Sequence, residues 1–413
     1  MNIYKDLLKI NLAIFHNFKQ ENFVFTFHIT MFYLLLLIIL FCQLFFTRAF
    51  FLDGEVWAIT LAVLQLISFL LSVVVMIRFF SRRKAENLKV VATSMGVMIA
   101  SFVPVLVSFP LSTIYLLSEN EYVFGVLLFV FFSSLIAILV GVFWGRWNWK
   151  VHPVNLTFDN LPKEMDGVQI VQISDVHVGS FFNRYLRVEK AIAKINELNP
   201  DYVLFTGDLV NNLASEMKGW EPVFSKIQAK KGKYSILGNH DYGDYVTWEN
   251  DHAKIANLEA LIQMHRAIDF VPLLNESVEL SPDFWLLGVE NWGKPPFRQS
   301  GELAKALQHV PEKAFKILLS HDPSHFDEQV VQKTSIELTL SGHTHGMQFG
   351  IERFGIKFSP VSFRYKKWAG LYQENGQYLY VNRGFGFLGF PGRVGIYPEI
   401  TLFTLRCKST NSN

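Results

Sequence analysis

Cysteine is almost absent from this chain: two in 413 residues, Cys42 inside an apolar stretch and Cys407 near the C-terminus. Neither stands in CxxC spacing, so neither a disulfide framework nor a thiolate metal site is supported. A surplus of charge is also missing. Thirty-eight Lys and Arg face 36 Asp and Glu, a net charge of +2, which excludes the basic footprint of a general nucleic-acid binder. Internal repeats and low-complexity tracts are lacking as well. Residues 1–27 lack a short apolar core leading to a small-residue cleavage site and do not read as a signal peptide. Ile3, Leu7, Ile10, Ile14 and Phe18 fall at helical spacing, which leaves open a helix on the membrane face or a plain disordered lead.

The most telling absence is local. Asp, Glu, Lys and Arg are missing from four long stretches, at about 29–47, 56–77, 90–118 and 122–145. Each approaches or exceeds the ~20 residues that cross a bilayer core as a helix. One charge at the centre of such a helix would cost about 2.5–3.5 kcal/mol. Residues 1–150 therefore read as an all-α membrane domain of four transmembrane helices. Pro104 and Pro110 predict a kink or a ragged end within the third. Arg78, Arg82, Arg83, Lys84 and Lys89 crowd the connection between spans two and three, and Arg146 and Lys150 follow span four. The positive-inside rule then places both termini and everything after residue 150 on the cytoplasmic side of the cytoplasmic membrane. Trp144, Trp147 and Trp149 are expected to anchor the last span at that interface.

The texture changes at about Val151. Short β-rich runs alternate with amphipathic patterns, an α/β arrangement that becomes strand-rich late. Strands are expected at Gln169–Ile173, Tyr202–Thr206, Tyr234–Leu237, Phe284–Val289, Lys316–Leu319, Glu337–Leu340, Tyr378–Val381 and Ile400–Leu405. Helices are expected at Tyr185–Glu197 and around Phe224–Ala229. Residues 407–413 form a polar tail.

Five polar blocks fall at strand ends, where loops converge in such sheets. They are Asp175-Val-His177, Gly207-Asp208, Gly238-Asn-His-Asp241, His321 and Gly342-His-Thr-His345. Together they offer enough oxygen and nitrogen donors for two divalent cations, the equipment of phosphoester hydrolysis. Asp208 is the candidate bridging carboxylate, with Gly207 allowing a tight turn before it. Asp175, His177, His343 and His345 come in pairs two residues apart, Asn239 offers a neutral carbonyl and His321 a further imidazole. Asp241 either orients His240 or braces the turn. His252, His265, His309 and His325 have no partner pattern and read as surface or helix residues. Gly384–Arg393 is rich in glycine and phenylalanine. It either packs its own aromatics or meets lipid through Phe385, Phe387 and Phe390, and Arg393 is a candidate phosphate contact.

These five blocks resemble the signature of the calcineurin-like metallophosphoesterases over residues 151–406. The run Gln172–Gly179 and Arg383-Gly-Phe-Gly resemble its membrane-anchored bacterial branch. The resemblance implies a four-layer α/β/β/α sandwich of two mixed sheets. It implies one metal on Asp175, His177, Asp208 and His345, and another on Asp208, Asn239, His321 and His343. It makes His240 the catalytic residue that protonates the leaving alkoxide or holds the phosphoryl group. Asn211 stands where many members carry an aspartate that orients this histidine, and Met347 where relatives often have glycine. The expected protein is a membrane-bound phosphohydrolase using two Mn, Fe or Zn ions. A metal-bridging hydroxide would attack a phosphoester or pyrophosphate that is amphiphilic, lipid-linked or nucleotide-linked. The competing reading is a catalytically silent membrane scaffold or sensor that retains the fold.

Overall fold

A computed structural model describes residues 37–82 and 88–408. The N-terminal segment read as either an interfacial helix or a disordered lead, the start of the first span, Arg83 and Lys84, and the end of the polar tail lie outside the described residues. The described chain falls into two compact units, one ending at Leu71 and resuming over Val97–Ile136, the other comprising Ser72–Gly96 and Ala137 onward.

Helices dominate the start. Residues 37–53 are helical (α1), followed by α2 (Val56–Arg82), α3 (Leu88–Ser118) and α4 (Glu121–Phe143). Among the described residues three helical segments, Val56–Val74, Leu88–Ser118 and Glu121–Trp147, are long and apolar enough to cross a membrane. Helix α3 runs unbroken through Pro104 and Pro110, so the helix end expected there is not found. Proline removes an amide but still fits a helix whose freed carbonyls find other partners. In the first unit the rings of Phe46, Phe50, Phe124 and Phe131 pack together, with Phe46 on Phe131 at 4.9 Å.

The second unit is built on two six-stranded sheets. The first contains β1 (Lys150–Phe158), β2 (Gln169–Ile173), β3 (Tyr202–Thr206), β4 (Gly232–Ile236), β5 (Val271–Pro272) and β14 (Glu399–Cys407), in the order β1-β14-β2-β3-β4-β5. Only the β14–β2 pair is antiparallel. The second contains β6 (Glu276–Ser281), β7 (Phe284–Gly288), β8 (Phe315–Leu319), β9 (Leu338–Ser341), β12 (Gly370–Glu374) and β13 (Gln377–Val381), in the order β12-β13-β9-β8-β7-β6. Its outer pairs are antiparallel and its inner ones parallel. A separate hairpin joins β10 (Ile351–Arg353) to β11 (Ile356–Phe358).

Period-two alternation explains the layers. In β3, Tyr202 and Leu204 enter the core between the sheets, while Val203 and Phe205 face the opposite cluster. In β8, Phe315, Ile317 and Leu319 face the other sheet and Leu318 the outer side. Helices α5 (Tyr185–Glu197), α6 (Glu221–Phe224) and α7 (Asp251–Ala267) cover the first sheet, with Val188, Ile192, Ile195 and Leu261 against Val203 and Phe205. The short α8 (Leu303–Ala306) and the turn at Phe326–Val330 cover the second. The result is two mixed sheets flanked by helices, as expected. Helix α6 ends at Phe224 rather than running to Ala229, and α7 was not anticipated.

One alternative left open by the sequence closes and one expectation needs correcting. Phe385, Phe387 and Phe390 do not face lipid: all three are buried. Phe385 lies against Trp149 at 5.3 Å, Phe387 against Phe181 at 5.7 Å and Phe390 against Phe349 at 5.1 Å. Glycines let that loop fold tightly enough to enclose its own rings. Trp149 is likewise interior, its indole donating to the Phe385 carbonyl at 2.8 Å, so it is no interfacial anchor. His325 stands in a short helical turn, one of the two settings expected of it, and is buried there between Ser320 at 2.8 Å and Gln329 at 3.1 Å.

Candidate metal centre

Each polar block follows the carboxyl end of a parallel strand: β2, β3 and β4 in one sheet, β8 and β9 in the other. The chain must turn at once to aim these side chains inward, and the backbone records it. Asp175, His177, Asp208, His343 and His345 all take positive φ, between 47° and 70°, a region that side-chain-bearing residues avoid and that gathers at functional sites. Glycine appears where no side chain fits. A Cβ on Gly207 would meet the Gly238 nitrogen at 2.5 Å, and one on Gly342 the Asp175 carboxylate at 2.3 Å.

The seven residues expected to hold metal come together. Asp175, His177 and His345 form one group of donors within 4.8 Å of one another, and Asp175, Asp208 and His321 form a second. The Nε2 atoms of His177 and His345 face each other at 3.0 Å, and His345 Nε2 lies 3.2 Å from Asp175 Oδ1. Asp208 Oδ2 stands 3.6 Å from His177 and 3.2 Å from His321. Both carboxylates thus reach between the groups. Asn239 Oδ1 and His343 Nδ1 approach to 2.8 Å, and the His343 ring lies 5.2 Å from that of His321.

The protonation pattern suits cation binding. Burial holds His177 and His343 below the usual imidazole range, in the neutral form that ligates metals. For Asp175 and Asp208, burial acts upward. The charges of His345 and His321 on Asp175, and chiefly of His321 and His240 on Asp208, outweigh it and hold both as carboxylates. His321 donates Nδ1–H to the Thr206 carbonyl at 2.7 Å. Its buried Nε2 faces Asp208 without a hydrogen-bond partner. Burial lowers His321, but Asp208 and then Asp175 push it up to about 10. A buried nitrogen left without alignment beside two carboxylates is the arrangement a shared cation satisfies. The donor set, imidazole nitrogens with carboxylate and amide oxygens, suits Mn, Fe or Zn alike.

His240 sits at the edge, half-buried. Its amide donates to Asp208 Oδ1 at 2.8 Å and its Nδ1 to the Asn211 carbonyl at 2.8 Å, which leaves Nε2 as the free ring position. Asn211 orients His240 through its main chain, while its side-chain amide donates to Glu216 at 2.8 Å. Asp241 does not touch the His240 ring. Its carboxylate accepts from the amides of Asp208, Leu209, Val210 and Gly238 at 2.8–3.3 Å, which settles its role as the brace of the turn. Arg393 is fully buried, and its guanidinium donates to the carbonyls of Gly386 at 2.8 Å, Arg383 at 2.7 Å and His345 at 3.4 Å. Those contacts face inward, toward the loop that carries His345.

Sequence reasoning passed over four residues at this centre. The Tyr365 hydroxyl lies 2.9 Å from His343 Nε2 and donates to Asp322 at 3.2 Å. Tyr245 meets the Asn239 amide at 2.7 Å. Glu216 gathers the amides of Asn211, Asn212 and Leu213. Asp322 had a signal in its adjacency to His321. Tyr245 and Tyr365 had none.

The comparisons place this strand-end cluster in a metallophosphoesterase domain. The chain belongs to the calcineurin-like phosphoesterases, whose family profile matches residues 168–347. It is 32% identical over 257 residues to the Bacillus subtilis protein named "Uncharacterized metallophosphoesterase YkuE", covering 61% of this chain and 82% of that one. It is 30% identical over 267 residues to the Danio rerio "Transmembrane protein with metallophosphoesterase domain", covering 62% of this chain but only 57% of the relative. The "UDP-2,3-diacylglucosamine pyrophosphatase LpxG" of Chlamydia trachomatis is 29% identical over 281 residues, covering 55% and 81% respectively.

Proposed function

We propose that this protein is a membrane-bound phosphohydrolase holding two divalent cations, and that its substrate is an amphiphilic phosphoester or pyrophosphate. The observation that carries the reading is the convergence of seven donor side chains from five loops, two groups of which share Asp175, with Asn239 and His343 beside them. In this reading Asp175, His177 and His345 hold one cation and Asn239, His321 and His343 the other, with Asp208 between them. Such cations neutralise phosphoryl oxygens and acidify water. The chain's own part follows from its geometry. Asp208 fixes the His240 main chain and the Asn211 carbonyl holds Nδ1, so Nε2 is the atom that delivers a proton to the departing oxygen. Tyr365 and Asp322 hold the His343 ring from behind, as outer partners do at metal sites. Arg393 supports the His345 loop.

The lipid side of the proposal draws support from three membrane-type helices and from relatives whose names include a transmembrane protein and a lipid-sugar pyrophosphatase. Residues 1–150 would form the membrane domain and 151–406 the catalytic one, on the cytoplasmic side of the cytoplasmic membrane. The test uses the full chain reconstituted in bilayers with Mn²⁺, a chromogenic phosphodiester and UDP-2,3-diacylglucosamine. Metal analysis should return two ions per chain, and EDTA should abolish turnover. Asp208→Asn and His240→Ala should each lose on the order of 100-fold or more in turnover. Folded, metal-replete protein that cleaves no phosphoester or pyrophosphate would refute the proposal.

A further inference from the structure

In the second unit, six large apolar side chains are exposed in the one segment between His345 and Trp368. Phe354 is 96% exposed at the tip of the β10–β11 hairpin, and Phe363 is 86% exposed in the turn that follows. Met347, Ile351, Ile356 and Phe358 are about half exposed beside them. Water-facing hairpins are normally polar at such positions. The turn itself is Phe354-Gly355, both at positive φ, where Asn-Gly is the usual solution. A phenylalanine there adds strain and exposure together, so its ring is not a packing residue of this fold.

Charge accompanies the rings. Between Met347 and Lys367 the sequence carries five cations and one acid. The acid, Glu352, is taken by Arg383. Among the described residues Arg353, Arg364 and Lys366 have no carboxylate partner. Aromatic side chains flanked by unpaired Lys and Arg are what an anionic lipid surface binds: the rings enter the acyl boundary and the cations meet headgroup phosphates.

The base of the segment is tied to the last turns of α4, which belong to the same unit. The Gly350 amide donates to the Val394 carbonyl at 3.0 Å, and the Val394 amide to Gln348 at 2.8 Å. The next residue, Arg393, donates its amide to Gly141 of α4 at 3.1 Å, and Arg146 donates to the Pro391 carbonyl at 2.9 Å. The hairpin therefore springs from the level of the last turns of α4. Both of its ends reach the metal centre. It begins two residues after His345 and closes on Tyr365, which touches His343. Next to Tyr365, Arg364 stacks over Phe297 at 5.2 Å, and Phe297 meets the His343 ring edge-on at 4.6 Å. A cavity of about 560 Å³ opens there, lined among others by Lys294, Asp327, Arg364, Tyr365, Lys366 and Lys367; Lys294 and Lys367 are paired with acids, which leaves Arg364 and Lys366 as its cations without a carboxylate partner.

We propose that residues 347–367 form an interfacial arm: Phe354 and Phe363 insert into an anionic bilayer, and the cations behind them lead a lipid phosphate to the metal centre. The docking claim stands by itself, and the delivery claim rests on the phosphohydrolase reading. A protein partner is the lesser reading, because the hairpin's three-residue strands offer separate projecting rings rather than a groove, with unpaired cations between them.

The test places a spin label at Phe354→Cys in the full chain, with Cys42→Ala and Cys407→Ser, in vesicles of phosphatidylethanolamine and phosphatidylglycerol. A label at Lys313→Cys, at the opposite ends of the strands, is the control. Docking requires that the label at 354 collide with oxygen in preference to a water-soluble nickel complex, and that the control show the reverse. A label at 354 as open to nickel as the control would overturn the arm. One shielded from both would overturn it in favour of a protein cover. Separately, the double variant Phe354→Ser, Phe363→Ser should lower turnover of a vesicle-borne substrate on the order of tenfold or more while leaving a soluble phosphodiester unaffected. Equal losses on both substrates would refute delivery. If neither substrate is cleaved even by the parent protein, the hydrolase reading falls and the label alone decides docking.

Discussion

Replacing Asp241 with alanine removes one acceptor from four buried amides at once. The carboxylate holds Asp208, Leu209, Val210 and Gly238, and none of these nitrogens has another strand to turn to. At the lower end of the cost of a stranded buried donor, ~1 kcal/mol each, the loss is about 4 kcal/mol. Part is offset. Burial and the neighbouring Asp208 oppose ionisation of Asp241 and push it up to about 7, so removing it also relieves Asp208. A net loss of about 3 kcal/mol should lower the melting temperature by roughly 6–12 °C in a domain of this size. Asp241→Asn keeps one acceptor but turns an NH₂ toward two amides, and should fall between. Tryptophan fluorescence on heating reads the shift, and a Mn²⁺ titration should show weaker binding, because the same amides position Asp208 and Asn239. If Asp241→Ala instead melts within 2 °C of the parent while kcat collapses, the carboxylate serves His240 and the bracing argument is wrong; the ~2 °C margin is under 1 kcal/mol.

Two further outcomes can be checked on the same preparation. His265 is buried against Phe205 with both ring nitrogens unpartnered, and burial pushes it down to about 3. The unfolded chain takes up a proton below about pH 6.5 that the folded one refuses, so stability drains at ~1.4 kcal/mol per pH unit as pH falls from 6.5 toward 3. His265→Leu should therefore gain about 3 kcal/mol on the parent between pH 7 and pH 4.5, and a pH-independent difference in melting would refute this. Arg393→Lys keeps the charge but cannot span three carbonyls, so it should destabilise by about 2–4 kcal/mol. A higher KM at unchanged melting temperature would instead return Arg393 to the phosphate-binding role that its sequence context suggests.

What the sequence revealed, and what it hid, follows from how each residue acts. The strands at Gln169–Ile173 and Tyr202–Thr206 and the helix at Tyr185–Glu197 are found with those bounds, because each alternates or repeats cleanly against one core. Strand β1 was missed: His152, Val154, Leu156 and Phe158 alternate with exposed neighbours, but it is an edge strand, carries Pro153 and fully buries only Leu156 and Phe158, so its composition is not that of a core strand. Helix α7 was missed because only Leu261 and His265 are buried along its length. Its real signal was the Asn250 cap, which accepts from Ala253 at 2.9 Å. At the centre, donors were readable because the chemistry demands particular side chains. Residues that act on main chain, such as Glu216, or through a side chain reached only by folding, such as Tyr365, leave no pattern. The Gly384–Arg393 loop stayed open between two readings for a related reason. Its phenylalanines signal apolar contact, and sequence cannot say whether protein or lipid supplies the other side.

The strain at the centre ties these observations together. Five of the expected ligands sit at positive φ, each costing ~1–2 kcal/mol. The sum is about 5 kcal/mol or more, comparable to the whole net stability of a typical domain. Glycine would remove the strain at every one of these positions and with it the ligand, so the chain keeps the side chain and fixes the backbone from outside. The means differ by block. Asp241 clamps Asp208, the Asp208 and Leu209 carbonyls take the amides of Val176, His177 and Val178, Asp175 takes the amide of His343, and Arg393 holds the His345 carbonyl. Each clamp links two different loops, so no loop adopts its strained shape alone. The centre should accordingly form or collapse as a unit, and single substitutions at the clamps should weaken every metal ligand together rather than the nearest one.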